Sequence, residues 1–477
     1  MDDRGSDLGL APAGAPHPMT AAARAVDAPE SAFRRSLRLF LRPRQWFRSL
    51  SSNPRRLISL LLAPLVLLTG GWMLSARIYG WHHLNAGKSA LGIDHCRDAL
   101  DHFQAALQIW PDDPSVLLLA ARAARRGGEL EQAEAYLAAC EHSSSLGDEP
   151  GLERILLRAT RGEVDEVGDV CRNLIHSDHP DTPQVLEALT LGCMAKLRLG
   201  EAQDYLEEWL RRSPDLPQAL YLMGKLNAMA SHQEDAAKSL RRVLELDPDR
   251  SDARFVLTDV LLDLRQATEA LPHLERLHRD RPKHSLIQAR LARCLNLIGR
   301  QNDAKAHLDE VLERTPHFAM ALLERGKIAY REDDLERAED LLRRACAENP
   351  GDIAAQYQLQ QCLTRLGNKT EAAVVEARVE RAKKDADRLR ELATVELPQR
   401  PRDPQLHAEV GTLFLRTGSP AEGLQWLNSA LRLDPQNTDA HRALADHYES
   451  IGAFGLASQH RTLAGIKPSP PPLVEKP

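Results

Sequence analysis

Aromatic residues make up only 4% of the 477-residue chain, against 43% hydrophobic and 27% charged. So few large rings argue against a thick sheet core, and the Ala-, Leu-, Arg- and Glu-rich remainder suits small, close-packed helix interfaces. The seven cysteines, Cys96, Cys140, Cys171, Cys193, Cys294, Cys346 and Cys362, include no CxxC pair. That excludes a zinc knuckle and a c-type haem site. Odd in number and scattered, they also fit no disulfide framework, and they are expected as small buried core residues. The sequence has no HExxH, no GxxxxGK[ST], no GxSxG and no GxGxxG after a strand. The nearest histidine groupings, His82 with His83, His176 with His179 and His273 with His278, lack a ligand pattern. No catalytic residue, cofactor or metal is therefore expected. Positive charge is scarce where nucleic acid would need it. Residues 1–56 hold ten Arg and five acids, a net +5, so the rest of the chain carries −11 of the overall −6. An acidic body argues against a nucleic-acid partner.

One apolar run is present. Leu57 to Ala76 contains no charged residue and lies between Arg56 and Arg77. Twenty residues in a helix span about 30 Å, the thickness of a hydrocarbon core. The run predicts an uncleaved transmembrane signal-anchor helix over 57–78; the rival, a cleaved signal peptide, fits poorly with 56 residues before it. Arg34, Arg35, Arg38, Arg42, Arg44, Arg48, Arg55 and Arg56 precede it without an acid after Glu30. The positive-inside rule then places the N-terminus in the cytoplasm and the body outside. With Arg outnumbering Lys, as in GC-rich genomes, the expected location is a bacterial inner membrane with a periplasmic body. Trp46 and Phe47 on one side and Trp72, Tyr79 and Trp81 on the other suit interfacial belts. Residues 1–56 read as a basic, disordered segment. Within it, 31–47 is either an amphipathic helix on an anionic leaflet or a plain linker.

The dominant signal is a period. Pro180, Pro214, Pro248, Pro282, Pro316 and Pro350 follow at intervals of 34, and Pro401 and Pro435 form another such pair. Twenty-two residues beyond the first six stand Ala202, Ala236, Ala270, Ala304, Ala338 and Ala372; four further come Leu206, Leu240, Leu274, Leu308 and Leu342. Ten beyond the proline the site is often small: Gly224, Ala292, Gly326, Gly411, Ala445. Each unit reads as two antiparallel helices, with proline where the chain turns and small residues where the helices cross. One hairpin cannot bury both faces, so stability comes from stacking. The unit at 148–182 departs most, with Gly168 at the Ala site.

The stretch Ala319–Asp352, with Gly326, Tyr330, Ala338, Leu342, Ala345 and Pro350, resembles a tetratricopeptide repeat, and the resemblance extends over about 80–471 in roughly eleven repeats. It implies an all-α, right-handed α–α superhelical solenoid beside one N-terminal transmembrane helix. The solenoid is expected over 80–366, a long helix of an atypical repeat over 367–400, two further repeats over 401–466, and a Pro-rich tail over 467–477. The long helix follows from the 51-residue interval between Pro350 and Pro401 and the recurrence of Ala372, Val375, Val379, Ala382, Ala386, Leu389 and Ala393. It either projects as an arm or partner-helix seam, or it folds back on the solenoid or is simply solvated.

The resemblance also implies that sites seven and eleven beyond each proline line an inner groove. They hold Tyr221, Phe255, Leu323 and Tyr357, then Lys225, Asp259, Arg293 and Lys327, with Tyr330, Arg331, Arg365 and Arg416 further on. The candidate peptide groove is accordingly Tyr221, Lys225, Phe255, Arg293, Lys327, Tyr330, Arg331, Tyr357 and Arg365. Aromatic faces beside basic heads suit a peptide with acidic or C-terminal carboxylate character; a solvated face is the other reading. The family's carboxylate clamp for chaperone tails needs asparagines that this row lacks. The expected role is a membrane-anchored scaffold for protein or peptide partners in envelope assembly or secretion. The alternatives are a recognition subunit for an envelope-modifying enzyme acting in trans, or an adaptor facing the cytoplasm.

Overall fold

The structure, a computed structural model, describes residues 54–140 and 147–466, with side chains from residue 69 onward. The chain divides into two compact units, residues 1–79 and 80–477. Helix α1 (Pro54–Gly92) carries the whole apolar run Leu57–Ala76 in its helical backbone. Among the described residues no helix is long and apolar enough to cross a membrane. The side chains of 54–68, which hold most of the expected span, lie outside the described residues. So do the basic segment up to residue 53 and the tail from 467 onward. On α1, Trp72 and Trp81 are 72% and 64% exposed.

The second unit is all helix among its described residues. After the end of α1 come α2 (Cys96–Leu107), α3 (Pro114–Gly127), α4 (Leu130–Cys140), α5 (Glu149–Thr160), α6 (Val164–His176), α7 (Thr182–Ala195) and α8 (Leu199–Arg212). The regular stretch follows with α9 (Pro217–Met229), α10 (Gln233–Leu246), α11 (Ser251–Asp263), α12 (Ala267–Asp280), α13 (Ser285–Leu297), α14 (Gln301–Arg314), α15 (Ala319–Arg331) and α16 (Leu335–Glu348). Then come α17 (Ile353–Arg365), α18 (Lys369–Glu391), a π-helical turn (Leu392–Glu396), α19 (Leu397–Gln399), α20 (Pro404–Arg416), α21 (Pro420–Leu433), α22 (Thr438–Ser450) and α23 (Phe454–Leu463).

Local chemistry explains where helices start and stop. Asp113, Asp352 and Asp403 accept hydrogen bonds from first-turn N–H groups of α3, α17 and α20. The first helix of most hairpins ends on a residue with positive φ, again 34 apart: Leu197, Ser231, Arg265, Gly299, Asp333 and Gly367. The next turn is fastened by a polar side chain six residues beyond the proline that reaches back to its carbonyl. His407 bonds the Pro401 oxygen at 2.9 Å and His441 the Pro435 oxygen at 3.1 Å, while Arg254 and Gln356 do the same to Pro248 and Pro350.

The periodic residues form the core. Ala202, Ala236, Ala270, Ala304 and Ala338 are wholly buried, as are Leu206, Leu240, Leu274, Leu308 and Leu342. The small sites are holes for these leucines. A Cβ on Gly224 would stand 2.7 Å from Leu240 Cγ, and one on Gly326 would stand 2.9 Å from Leu342 Cγ. Between Pro350 and Pro401 the long helix runs on from α18 through the π-helical turn and α19 to Gln399, its backbone right-handed at Glu391, Leu392, Glu396 and Leu397, and its far end packs against α20 and α21. Leu392 and Leu397 are buried with Leu406, Val410, Leu413 and Trp426, and Leu197 packs against the same cluster. Arg388 ties the helix end to Glu409 at 2.7 Å. Arg402 pairs with Asp165 at 3.2 Å, and Lys196 lies 5.5 Å from the Trp426 ring centroid. The C-terminal hairpins therefore touch the α5–α8 region as well as their sequence neighbours.

Candidate functional site

The first helices α9 and α11 present Tyr221, Lys225 and Phe255 to one cavity of about 760 Å³. Spacing of four on α9 puts Tyr221 and Lys225 on one face, with the ammonium 5.6 Å from the ring centroid. The Arg250 guanidinium lies 4.7 Å from the same ring, and Arg290 lies 3.8 Å from the Phe255 ring. Burial pushes the Lys225 ammonium below its ordinary pKa and the Tyr221 hydroxyl above its own. Asp259, beside Arg290 at 2.5 Å, is pushed up to about 6 by desolvation, with Arg290 opposing.

The other expected groove residues fall elsewhere. Arg293, Lys327, Tyr330, Arg331, Tyr357 and Arg365 are not among the residues lining this cavity. Arg293 pairs with Asp263 at 3.2 Å and Lys327 with Glu324 at 2.7 Å. Arg365 stacks 4.7 Å from the Tyr330 ring centroid, bonds the Tyr330 carbonyl at 3.2 Å and pairs with Asp333. Tyr357 is 48% exposed and Arg331 is exposed. The nine residues thus form one walled cavity and a more open surface on α13–α17, and much of the basic charge is already paired within the chain.

Sequence reasoning missed a buried charge network that runs from the cavity wall to Glu187 behind it. Arg126 at the end of α3 bonds Asp94 at 2.5 Å and Glu187 of α7 at 2.7 Å and 3.2 Å. Gln218 of α9 donates to Glu187 at 2.5 Å and accepts from Arg250 in the turn before α11. Arg250 Nη1 stands 3.9 Å from Asp94 Oδ2, beyond hydrogen-bond distance, so the ring stays open at that point. Five side chains from separate parts of the chain meet here. Burial pushes the Asp94 carboxyl above the usual carboxylate range, with Arg126 acting against it. Removing one partner from a buried charge network typically costs about 3–5 kcal/mol. One signal was available: Glu187 stands seven residues beyond Pro180, in the row of Tyr221 and Phe255. The others sit in turns or at helix ends, where the repeat period marks nothing. Among the described residues no group of three or more His, Cys, Asp or Glu is placed to hold a metal.

A family profile described as Tetratricopeptide repeat matches residues 84–145, 230–285, 298–353 and 368–438, together about half of the chain. A second profile of the same description matches 261–325. The chain is 27% identical over 220 residues to TPR repeat-containing protein PA4667 of Pseudomonas aeruginosa, a stretch covering 44% of this chain and 34% of that protein. It is 23% identical over 217 residues to anaphase-promoting complex subunit 7 of Dictyostelium discoideum, covering 45% and 34%. The chain thus spans about a third of the length of the curated relatives it matches. Among solved structures it is similar to MamA 41-end from Desulfovibrio magneticus RS-1, at 23% identity and a TM-score of 0.33, over 35% of this chain and 95% of that one.

Proposed function

The chain belongs to the tetratricopeptide-repeat family, and from that premise we propose that it is a scaffold that docks protein or peptide partners through the cavity on α9 and α11. The observation that carries this reading is the convergence of Tyr221, Phe255 and Lys225 on one cavity of about 760 Å³ walled by several hairpins. Aromatic anchors and basic heads in a preformed concavity are what peptide recognition uses. The partner class that fits is an acidic segment. The open surface around Tyr330, Arg331, Tyr357 and Arg365 extends the docking area toward α17.

The scaffold is tethered to a bacterial inner membrane by 57–78, with the repeats in the periplasm and the service in envelope assembly or secretion. Support comes from the uncharged run Leu57–Ala76, the Arg-rich flank before it, and the exposed Trp72 and Trp81 on α1. Two measurements test the proposal. Crosslinking and mass spectrometry on intact membranes should capture specific partners. Tyr221→Ala with Lys225→Glu should weaken that capture about 30-fold in Kd, the loss of an anchor worth about 2 kcal/mol. Unchanged capture moves the site off this cavity. A reporter fused after Pro477 should be active only outside the cytoplasm; cytoplasmic activity overturns the orientation.

A further inference from the structure

The acidic turn between α1 and α2 lies where the proposed partner would go. Asp94, with φ +62, sits in the left-handed region that Asp adopts more readily than most residues. Its turn lines the same cavity as Tyr221, Lys225 and Phe255. Asp94 reaches Arg126 at 2.5 Å, Arg126 also bonds the Leu91 carbonyl at 3.4 Å, and His95 stands 3.8 Å from Asp247. The turn is thereby held to the end of α3, and it lies beside the turn before α11.

The fit is incomplete on one side. Arg250 is 2% exposed, and its Nη1 has no hydrogen-bond acceptor. Asp94 Oδ2, at 3.9 Å, is too far to serve. A carboxylate that reached both guanidinium groups at bonding distance would satisfy a donor that Asp94 leaves bare.

We propose that the Asp94 turn is an internal stand-in for the partner, holding a carboxylate between Arg126 and Arg250 so that an acidic partner segment takes the cavity by displacing it. The inference rests on the docking reading above and adds competition to it. The resting scaffold is closed, and only a segment with a better-placed carboxylate opens it. Glu187, behind the wall, and Gln218 stay in place and keep the two arginines in register.

The test uses the full chain in detergent micelles and a fluorescein-labelled glutamate octamer, with a lysine octamer as control. Asp94→Asn keeps the turn, since Asn also tolerates positive φ, and removes the internal charge. It should tighten octamer binding about tenfold, as for a site free in one molecule in ten before the change. Adding Arg250→Ala should abolish the gain. In the wild type, the octamer should speed hydrogen exchange across 91–98. Equal octamer affinity for wild type and Asp94→Asn, or a gain that survives Arg250→Ala, overturns the stand-in. So does exchange at 91–98 that the octamer leaves unchanged, a measurement that needs no variant to fold. A partner captured on membranes that still depends on Tyr221 and Lys225 would keep the docking reading even then. Loss of that dependence would end both.

Discussion

Gly192 shows what a single hydrogen atom decides in this packing. A Cβ built there would stand 1.9 Å from the Ala159 carbonyl oxygen, where α7 crosses α5. Backbone cannot move aside as a leucine tip can, so Gly192→Ala should destabilise the protein by about 1–3 kcal/mol. Gly200, in the first turn of α8, has nothing within 4 Å of the same position. There, Gly200→Ala should stabilise by about 0.5–1 kcal/mol, because alanine loses less backbone freedom on folding. Urea unfolding of the two variants checks both signs. The small sites at Gly224, Gly326 and Gly411 were legible in the sequence because they recur against a leucine at a fixed interval. Gly192 was not, because it meets the backbone of the irregular unit and has no periodic partner. The cysteines follow the composition argument: all but Cys346 are buried, and burial pushes the Cys96 and Cys294 thiols up to about 11.

At the scale of the element, the positive-φ turns separate local need from tertiary use. Arg265, with φ +61, is exposed and ends the first helix of its hairpin. Arg265→Gly should stabilise by about 1 kcal/mol by lifting the left-handed penalty. Leu197, at φ +53 in the equivalent place, packs against the cluster of Leu392, Leu397, Leu406, Val410, Leu413 and Trp426. Leu197→Gly should therefore bring no such gain and should loosen the 392–426 cluster. Thermal unfolding midpoints of the pair, with Trp426 fluorescence, check this. The long helix itself was legible from the 51-residue interval and its heptad-like apolar positions. What its far end packs against was not. The π turn at Leu392–Glu396 gains its value from surfaces on α20 and α21 that lie further along the chain.

For the whole molecule, a stack of hairpins has no single cooperative core, and stability follows the neighbours each hairpin has. The hairpin α22–α23 has a neighbour on one side among the described residues, and Phe454 and Leu456 on α23 are 54% and 45% exposed. The hairpins from α11 to α16 are covered on both sides. Native-state hydrogen exchange should therefore be fastest in α22–α23 and slowest across α11–α16. Uniform protection along the array would contradict nearest-neighbour stability.

The sequence by itself determined the hairpins, their length, their small crossing points and the turns between them. Those depend on contacts within one repeat or with the next, and such contacts recur at a fixed spacing. Only the tertiary structure decided that Asp94 comes beside Arg250, that Asp165 meets Arg402 and that Lys196 meets Trp426. Each of those encounters depends on the small rotation added by every intervening hairpin, and an angle accumulated over several repeats is written in no single residue or interval.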